Sequence, residues 1–242
     1  MKPQHRNNHF FSNNHRANLR SITQQTRQYL YASLLIFSAP LLAACASSVQ
    51  QVITEDGLAG VSSPMDELYI RSDSEFGQYQ QIYFEPLTVS YSKQRRSDTL
   101  NRSAEDFQFD DKEMTTFEEK FQTSFSQQWQ QSLGWSVAEQ PGAGVLIVRA
   151  AVSELFLYAS IKNDARSPNA SLTNETSKMQ LQIELLDATN QQVLLRMNDQ
   201  KITGRSGSGS QSMRRMTSVS YWNDAQRMFR QTANSLSNFL SL

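Results

Sequence analysis

The feature that most limits what this chain can fold into is an uncharged apolar stretch over residues 30–44, followed at once by the only cysteine, Cys45. The stretch is shorter than the roughly 20 residues that an apolar helix needs to cross a bilayer. Five basic residues and no acidic residue precede Cys45, and basic residues before an apolar segment hold that end in the cytoplasm. Residues 1–44 are therefore predicted to be an export signal peptide, and only the chain after them contributes to a fold.

The end of this stretch, Leu42-Ala43-Ala44-Cys45, resembles the lipobox of bacterial lipoproteins. The resemblance implies cleavage before Cys45 and attachment of palmitate-like acyl chains through its thiol, which anchors the chain to a membrane. It also implies sorting to the cell outer membrane, facing the periplasm, because Ala46 stands where aspartate would signal inner-membrane retention. A plain signal anchor with a chance cysteine is the alternative interpretation.

The composition after the signal peptide limits the chemistry. All three histidines precede Cys45, and lipidation would use the only thiol. Histidine-dependent nucleophilic systems and histidine-ligated zinc therefore have no candidates, and neither a cofactor nor a metal site is predicted. The net charge from Cys45 onward is −5, and the mean hydropathy of the whole chain is −0.54. These values exclude a strongly basic nucleic-acid binder and a polytopic membrane protein.

Three parts are predicted along the chain. Residues 1–44 form the signal peptide, residues 45–64 form the lipidated cysteine with a flexible tether rich in Ser, Gly and Gln, and residues 65–242 form one domain. The predicted order in the domain is strand, helix, strand, β-hairpin, helix. Since each element has one apolar face to bury, we expect a two-layer α+β domain with a mainly antiparallel sheet of four or five strands and two amphipathic helices.

Apolar residues three or four positions apart predict the two helices. The first covers residues 111–133, with acidic residues at its start and Gly134 as its C-terminal cap. The second lies at the end of the sequence, with Ser220 as its N-cap.

β-Branched and aromatic residues predict the strands. The first covers residues 81–91, where Pro86 indicates a sheet edge or a bulge. Residues 145–158 are apolar on both faces, which predicts a central strand covered on each side. Residues 179–185 alternate between apolar and polar side chains, and residues 193–203 return as the hairpin partner.

Several segments are similar to a family of bacterial lipoproteins known only as a domain of unknown function. The matching segments are residues 79–87, residues 141–152 and residues 183–189, together with Trp222 at the start of the last helix. Glu85 stands where the family more usually has aspartate. The resemblance covers about residues 65–240 and implies an envelope lipoprotein without an assigned activity. It implies no catalytic residue.

Two groups of arginines are candidates for binding anions such as lipid headgroups or acidic glycans. Arg205, Arg214 and Arg215 lie in and after a Gly/Ser-rich loop, for which a flexible connector is the alternative. A comparable group lies before the first helix, where a solvated loop is the alternative; it consists of Arg95, Arg96 and Arg102.

The function predicted from these observations is a non-enzymatic, lipid-anchored envelope protein that binds another envelope protein or a glycan. A sheet edge near Pro86 could accept a strand of the partner. One alternative is a glycan or peptidoglycan hydrolase, which requires Glu85 and Glu154 to face each other about 5 to 10 Å apart. Another is a lipid or glycan carrier, which requires an apolar cavity between sheet and helices.

Overall fold

The computed structural model describes residues 53–93, 104–162, 172–204 and 213–241, so the predicted signal peptide and Cys45 lie outside the described residues. The helices are α1 (Asp111–Leu133) and α2 (Ser218–Leu240). The strands are β1 (Leu58–Gly60), β2 (Glu67–Arg71), β3 (Gln81–Phe84), β4 (Thr88–Tyr91), β5 (Ser136–Val137), β6 (Val145–Leu157), β7 (Leu172–Thr173), β8 (Ser177–Asp187), β9 (Val193–Thr203) and β10 (Arg214–Arg215). Neither helix is apolar enough over its length to cross a bilayer.

The main sheet has eight strands in the order β1-β2-β9-β8-β6-β3-β5, with β4 also paired to β6. The pairs β3–β6, β4–β6 and β3–β5 are parallel, and the other pairs are antiparallel. The predicted α+β class is confirmed, whereas the prediction of four or five strands is wrong. The unpredicted strands β1, β2 and β5 contain only two to five residues each, too few for a residue pattern to become visible.

The fold begins before the predicted boundary at residue 65. Strand β1 lies inside the segment predicted to be a tether and pairs antiparallel with β2. Leu58 is completely buried. The Thr54 amide donates to the Leu58 carbonyl, and the Leu58 amide donates to the Thr54 hydroxyl at 3.0 Å. A single buried leucine among Ser, Gly and Gln has no periodicity, so the sequence pattern of this strand resembles that of a linker.

Pro86 divides the first predicted strand into two. Strands β3 and β4 pair one after the other with β6, and residues 85–87 form the break between them. The amide of Leu87, directly after the proline, donates to Glu118 of α1 at 3.0 Å. Within the described ranges β4 pairs with β6 alone, so the prediction of a sheet edge near Pro86 is confirmed.

Both helices pack on one face of the sheet, and aromatic rings fill the layer between them. Phe117, Phe121, Phe125 and Trp129 of α1 are at most 1% exposed, and the ring of Phe121 contacts that of Phe84 in β3 at 5.9 Å. Among the described residues, these rings therefore occupy the space in which a carrier would need its apolar cavity.

Strand β6 is central in the sheet but is not covered on both faces. Its alternate residues Leu146, Val148, Ala150 and Val152 are buried and join the core under the helices. Arg149 lies on the opposite face, and 45% of its side chain is exposed. The prediction of a strand covered on each side is therefore wrong along this part of β6.

Helix α1 begins with a capping box. The Asp110 carboxylate accepts from the amide of Glu113 at 2.8 Å, and the Glu113 carboxylate accepts from the amide of Asp110 at 2.9 Å. Gly134 ends the helix at φ 75°, a left-handed conformation that glycine adopts without steric cost, as predicted. Helix α2 has an equivalent box, but its cap is Thr217, and the predicted cap Ser220 is the third helical residue.

Replacing Asp110 by alanine is expected to lower the free energy of unfolding by about 1 kcal/mol, because the amide of Glu113 at the helix start loses its side-chain acceptor. Urea denaturation of the full chain, followed by circular dichroism, measures the change. Glu119→Ala, at an exposed position of the same helix, is the control and is expected to change stability by less than about 0.5 kcal/mol. Equal effects of the two substitutions would contradict a role for the cap.

Candidate functional site

The sheet face opposite the helices carries many polar side chains that bond one another. Because side chains alternate between faces along a strand, burying one set of residues against the helices places the other set on this face. We call it the open face and define it by the outward residues of β2, β3, β6, β8 and β9. An antiparallel sheet with one solvated face is common, so the arrangement of the side chains on it is what matters.

A row of alternating charges crosses the open face from β3 to the chain before β1. Arg149 donates to both oxygens of Glu85, at 2.7 and 3.1 Å, and lies 3.7 Å from Glu184. Arg196 donates to Glu184 at 2.8 Å and to Asp56 at 2.7 Å. The row connects these residues because Arg149 is the register partner of Glu184, and Glu184 is the register partner of Arg196.

Pairing changes the protonation behaviour of several groups in the row. The hydrogen bond from Arg149 to Glu85 raises the pKa of the guanidinium, and the bond from Arg196 to Glu184 does the same for Arg196. Hydrogen bonds from Thr54 and Arg196 lower the pKa of Asp56. Because the side chains in the row are 25–45% exposed, each pair contributes only about 0–1 kcal/mol to stability. The row therefore orders the surface more than it stabilises the fold.

A second row of polar contacts lies beside the first and consists mainly of amides. The Gln180 amide donates to Asn198 at 2.6 Å, and the Asn198 amide donates to Glu67 at 3.2 Å. Gln182 and Gln200 on the same face are exposed. This row therefore offers hydrogen-bond donors and acceptors to a ligand without a strong net charge.

Tyrosines flank these rows at two points. Tyr69 of β2 is the register partner of Arg196, and Tyr83 of β3 is the register partner of Ile147, which places both rings on the open face. Both are partly buried. Tyrosine and arginine are enriched in protein interfaces, so the residue types here are those of a recognition surface.

The structure does not bring Glu85 and Glu154 together as a free carboxylate pair. Arg149 engages Glu85, while Glu154 is exposed at an irregularity of the β6–β8 pairing and has φ 53°, a conformation rare for non-glycine residues. Arg149 also lies beside Glu184, so two carboxylates share its charge. Within the described ranges, no group of three or more Asp, Glu, His or Cys residues is placed to hold a metal ion.

Only two of the predicted anion-binding residues, Arg214 and Arg215, lie among the described residues. Arg205 lies outside the described residues, as do the three arginines before the first helix, Arg95, Arg96 and Arg102. Arg214 and Arg215 form β10, which pairs antiparallel with β7. Strand β10 follows the Gly/Ser-rich loop, and its length of two residues explains why no pattern in the sequence indicated it.

A separate polar cluster is buried beneath α2. The hydroxyls of Thr176 and Ser177 hydrogen-bond the Thr203 hydroxyl at 2.7 and 2.6 Å, and Thr176 donates to Asp224 at 3.5 Å. Tyr221 is completely buried beside this cluster, and burial raises the pKa of its phenol. Since these groups have almost no contact with solvent, the cluster connects α2 to the sheet and is not a binding site.

At the turn between β8 and β9, Asp187 accepts hydrogen bonds from the Tyr79 hydroxyl at 2.6 Å and from the amide of Thr189 at 2.7 Å. Burial acts to raise the pKa of Asp187, but these hydrogen bonds outweigh it and lower the pKa. Burial and the same carboxylate raise the pKa of Tyr79. Asp187 therefore has a structural role, connecting the hairpin to the segment before β3.

Comparison with known families gives one match over most of the described domain. The family described as "Protein of unknown function (DUF3313)" matches residues 54–236. No curated protein matches the chain.

Several solved structures are similar to the chain at low identity. The PelC dodecamer from Paraburkholderia phytofirmans is 11% identical, with 74% of this chain and 96% of that chain covered and a TM-score of 0.35. A DUF330 protein from Xanthomonas campestris is 13% identical, with 66% and 82% covered and a TM-score of 0.36. A candidate lipoprotein from Caulobacter crescentus is 10% identical, with 68% and 90% covered and a TM-score of 0.30.

Proposed function

The chain belongs to the DUF3313 family of proteins of unknown function, and from this premise we propose that it is a lipid-anchored binding protein of the bacterial outer membrane. It is held by acyl chains on Cys45, faces the periplasm and has no enzymatic activity of its own. The observation that carries the binding role is the open face, where paired charges and amides form an ordered polar surface.

The chemistry of the open face favours recognition over catalysis. Glu85, Glu184 and Asp56 are each held by arginine, so none is positioned as an unpaired acid or base. From Cys45 onward the chain also lacks histidine. Exposed amides and partly buried tyrosines suit a partner that makes many neutral hydrogen bonds.

The partner proposed is another envelope protein. Arginine and tyrosine are the residue types that contribute most to protein interfaces, and Arg149, Arg196, Tyr69 and Tyr83 lie on this one face. Because the ion pairs already hold both guanidinium groups in place, little side-chain freedom remains to be lost on binding. Among the described residues one edge of β4 has no partner strand, and we propose it as a second contact, at which a strand of the partner extends the sheet.

Site-specific photo-crosslinking in intact cells tests the proposal. A photoreactive residue replaces Gln182, which is exposed near the centre of β8 on the open face. The expected result is a discrete adduct with an envelope protein, identified by mass spectrometry. The matched control places the same residue at Gln127, which is exposed on α1, and should give at least about tenfold less adduct.

Adducts of equal yield at the two positions, or none at Gln182, would contradict binding through the open face. An adduct that contains glycan and no protein would show that the face is used but that the class of partner is wrong.

A further inference from the structure

Strongly exposed apolar residues lie around the ladder formed by β7 and β10 and at the start of α2, a part of the domain that the proposed binding role does not use. They are Leu172, Met213 and Val219, which are 60–70% exposed. Among the described residues six large hydrophobic side chains are exposed, and half of them lie here. Apolar residues concentrated on a surface in this way indicate a contact site.

Strand pairing brings two of these residues to one face of the ladder together with an arginine. Leu172 is the register partner of Arg215, so their side chains share a face. Met213 precedes Arg215 by two positions, which is the spacing of side chains on one face of a strand. Arg215 is exposed. One face of the ladder therefore presents a guanidinium group beside two apolar side chains.

The residues that follow the ladder hold this surface on the core. Met216, directly after β10, is completely buried, and Thr217 caps α2. Val219 lies in the first turn of α2, which contains no acidic residue, and a helix carries the positive end of its dipole there. The ladder face and this first turn therefore form one apolar and positive surface. We call it the ladder patch and define it by Leu172, Met213, Arg215 and Val219.

Acidic residues at the start of α1 lie at the same end of the domain, because the ring of Phe109 contacts that of Tyr221 in α2 at 5.8 Å. The carboxylates of Asp110 and Glu113 accept backbone amides in the capping box of their own helix. The positive end of that helix offsets part of their charge. An anionic surface is therefore attracted at the ladder patch and not over the whole end of the domain.

From the apolar side chains and the arginine on one surface, we infer that the ladder patch contacts the phospholipid surface of the membrane that holds the anchor. The apolar side chains enter the boundary between headgroups and acyl chains, and the guanidinium group binds phosphate oxygens through paired hydrogen bonds. The inference rests on the acyl anchor proposed above. An anchored domain meets the membrane at a high effective concentration, so a small contact is sufficient.

The length of the chain between the anchor and the domain permits this contact. Eight positions separate Cys45 from Ile53, which span at most about 28 Å. Through the pairing of β1, β2 and β9, Ile53 lies level with Leu195, and Thr203 at the ladder end of β9 is eight residues further, about 27 Å. With the ladder patch on the membrane, the β8–β9 turn points away from it and the open face stays accessible from the side.

Quenching of a fluorescent label by lipid tests the inference. Because acyl chains occupy the thiol of Cys45, a cysteine introduced elsewhere is the only free thiol. The acylated chain is labelled at Val219→Cys and reconstituted on vesicles of roughly three parts phosphatidylethanolamine to one part phosphatidylglycerol, with nitroxide on some acyl chains. We expect quenching at least about threefold greater than at Asn190→Cys, which lies exposed in the β8–β9 turn.

Two charge reversals in the labelled Val219→Cys chain test the role of the arginine. Arg215→Glu is expected to lower the quenching at least about threefold, because a carboxylate repels the lipid phosphates. Arg230→Glu, three turns further along α2 and also exposed, should leave the quenching unchanged. Equal quenching at residues 219 and 190, or an equal loss from the two reversals, would overturn the membrane contact and leave the anchor in place. An intact mass without acyl groups would remove the proposed anchor and the contact with it.

Discussion

Replacing Cys45 by alanine is expected to abolish lipid attachment and leave the protein as an unprocessed precursor. The lipobox interpretation makes the thiol the acceptor of diacylglycerol, and a lipoprotein peptidase acts after that transfer. Metabolic labelling with a radioactive fatty acid should therefore detect the original protein and not the variant. Intact mass should show a variant that still contains residues 1–44 and no acyl group.

Two further variants make this result specific. Ser48→Ala lies outside the lipobox and should be acylated and processed normally. Ala46→Asp should be acylated and processed but retained in the inner membrane, if the sorting implied by the lipobox resemblance is correct. Normal processing of Cys45→Ala would show that the segment is an ordinary export signal, and the proposed anchor would be lost with it.

Replacing Trp129 by alanine is expected to lower the free energy of unfolding by about 3–5 kcal/mol. The ring is completely buried, its indole nitrogen donates to the Ala233 carbonyl of α2 at 2.9 Å, and it contacts both Phe125 and Trp135. Its removal therefore leaves a cavity where the two helices meet and takes away a buried hydrogen bond. Urea unfolding of the full chain, monitored by far-ultraviolet circular dichroism, measures the loss.

Because domains are stable by only about 5–15 kcal/mol, the alanine variant could fall below the limit for folding, and a milder substitution is needed beside it. Trp129→Phe keeps most of the ring volume and is expected to lose about 1–3 kcal/mol, from the missing hydrogen bond and the smaller ring. Gln127→Ala, two residues away and exposed, should change stability by less than about 0.5 kcal/mol. A Trp129→Phe variant as stable as Gln127→Ala would contradict this account of the core.

The elements that could be predicted are those in which many residues repeat one pattern. Helix α1 spans residues 111–133 as expected, because its apolar side chains recur at helical spacing and both ends carry recognisable caps. The β8–β9 hairpin follows from strict alternation and from the turn residue Asp187. Strands β1, β5 and β10 could not be found this way, because two or three residues contain no period and their pairing depends on distant strands.

The candidate site, like the fold, could be predicted only in part. The polar positions on β8 were predicted to face outward, and they do. The pairing of Arg149 with Glu85 had no signal in the sequence, because the two residues are 64 positions apart and meet only through the β3–β6 pairing.

Local chemistry in the sequence therefore determined the predicted export signal, the lack of imidazole after Cys45, the two helices and the α+β class. These depend on residues close together in the chain, where spacing, charge and side-chain type act directly. The tertiary structure alone decided which sheet face stays open, which charges pair across it and where the helix ends meet. Those outcomes depend on strand order and register, which arise only when distant segments bury their apolar faces together.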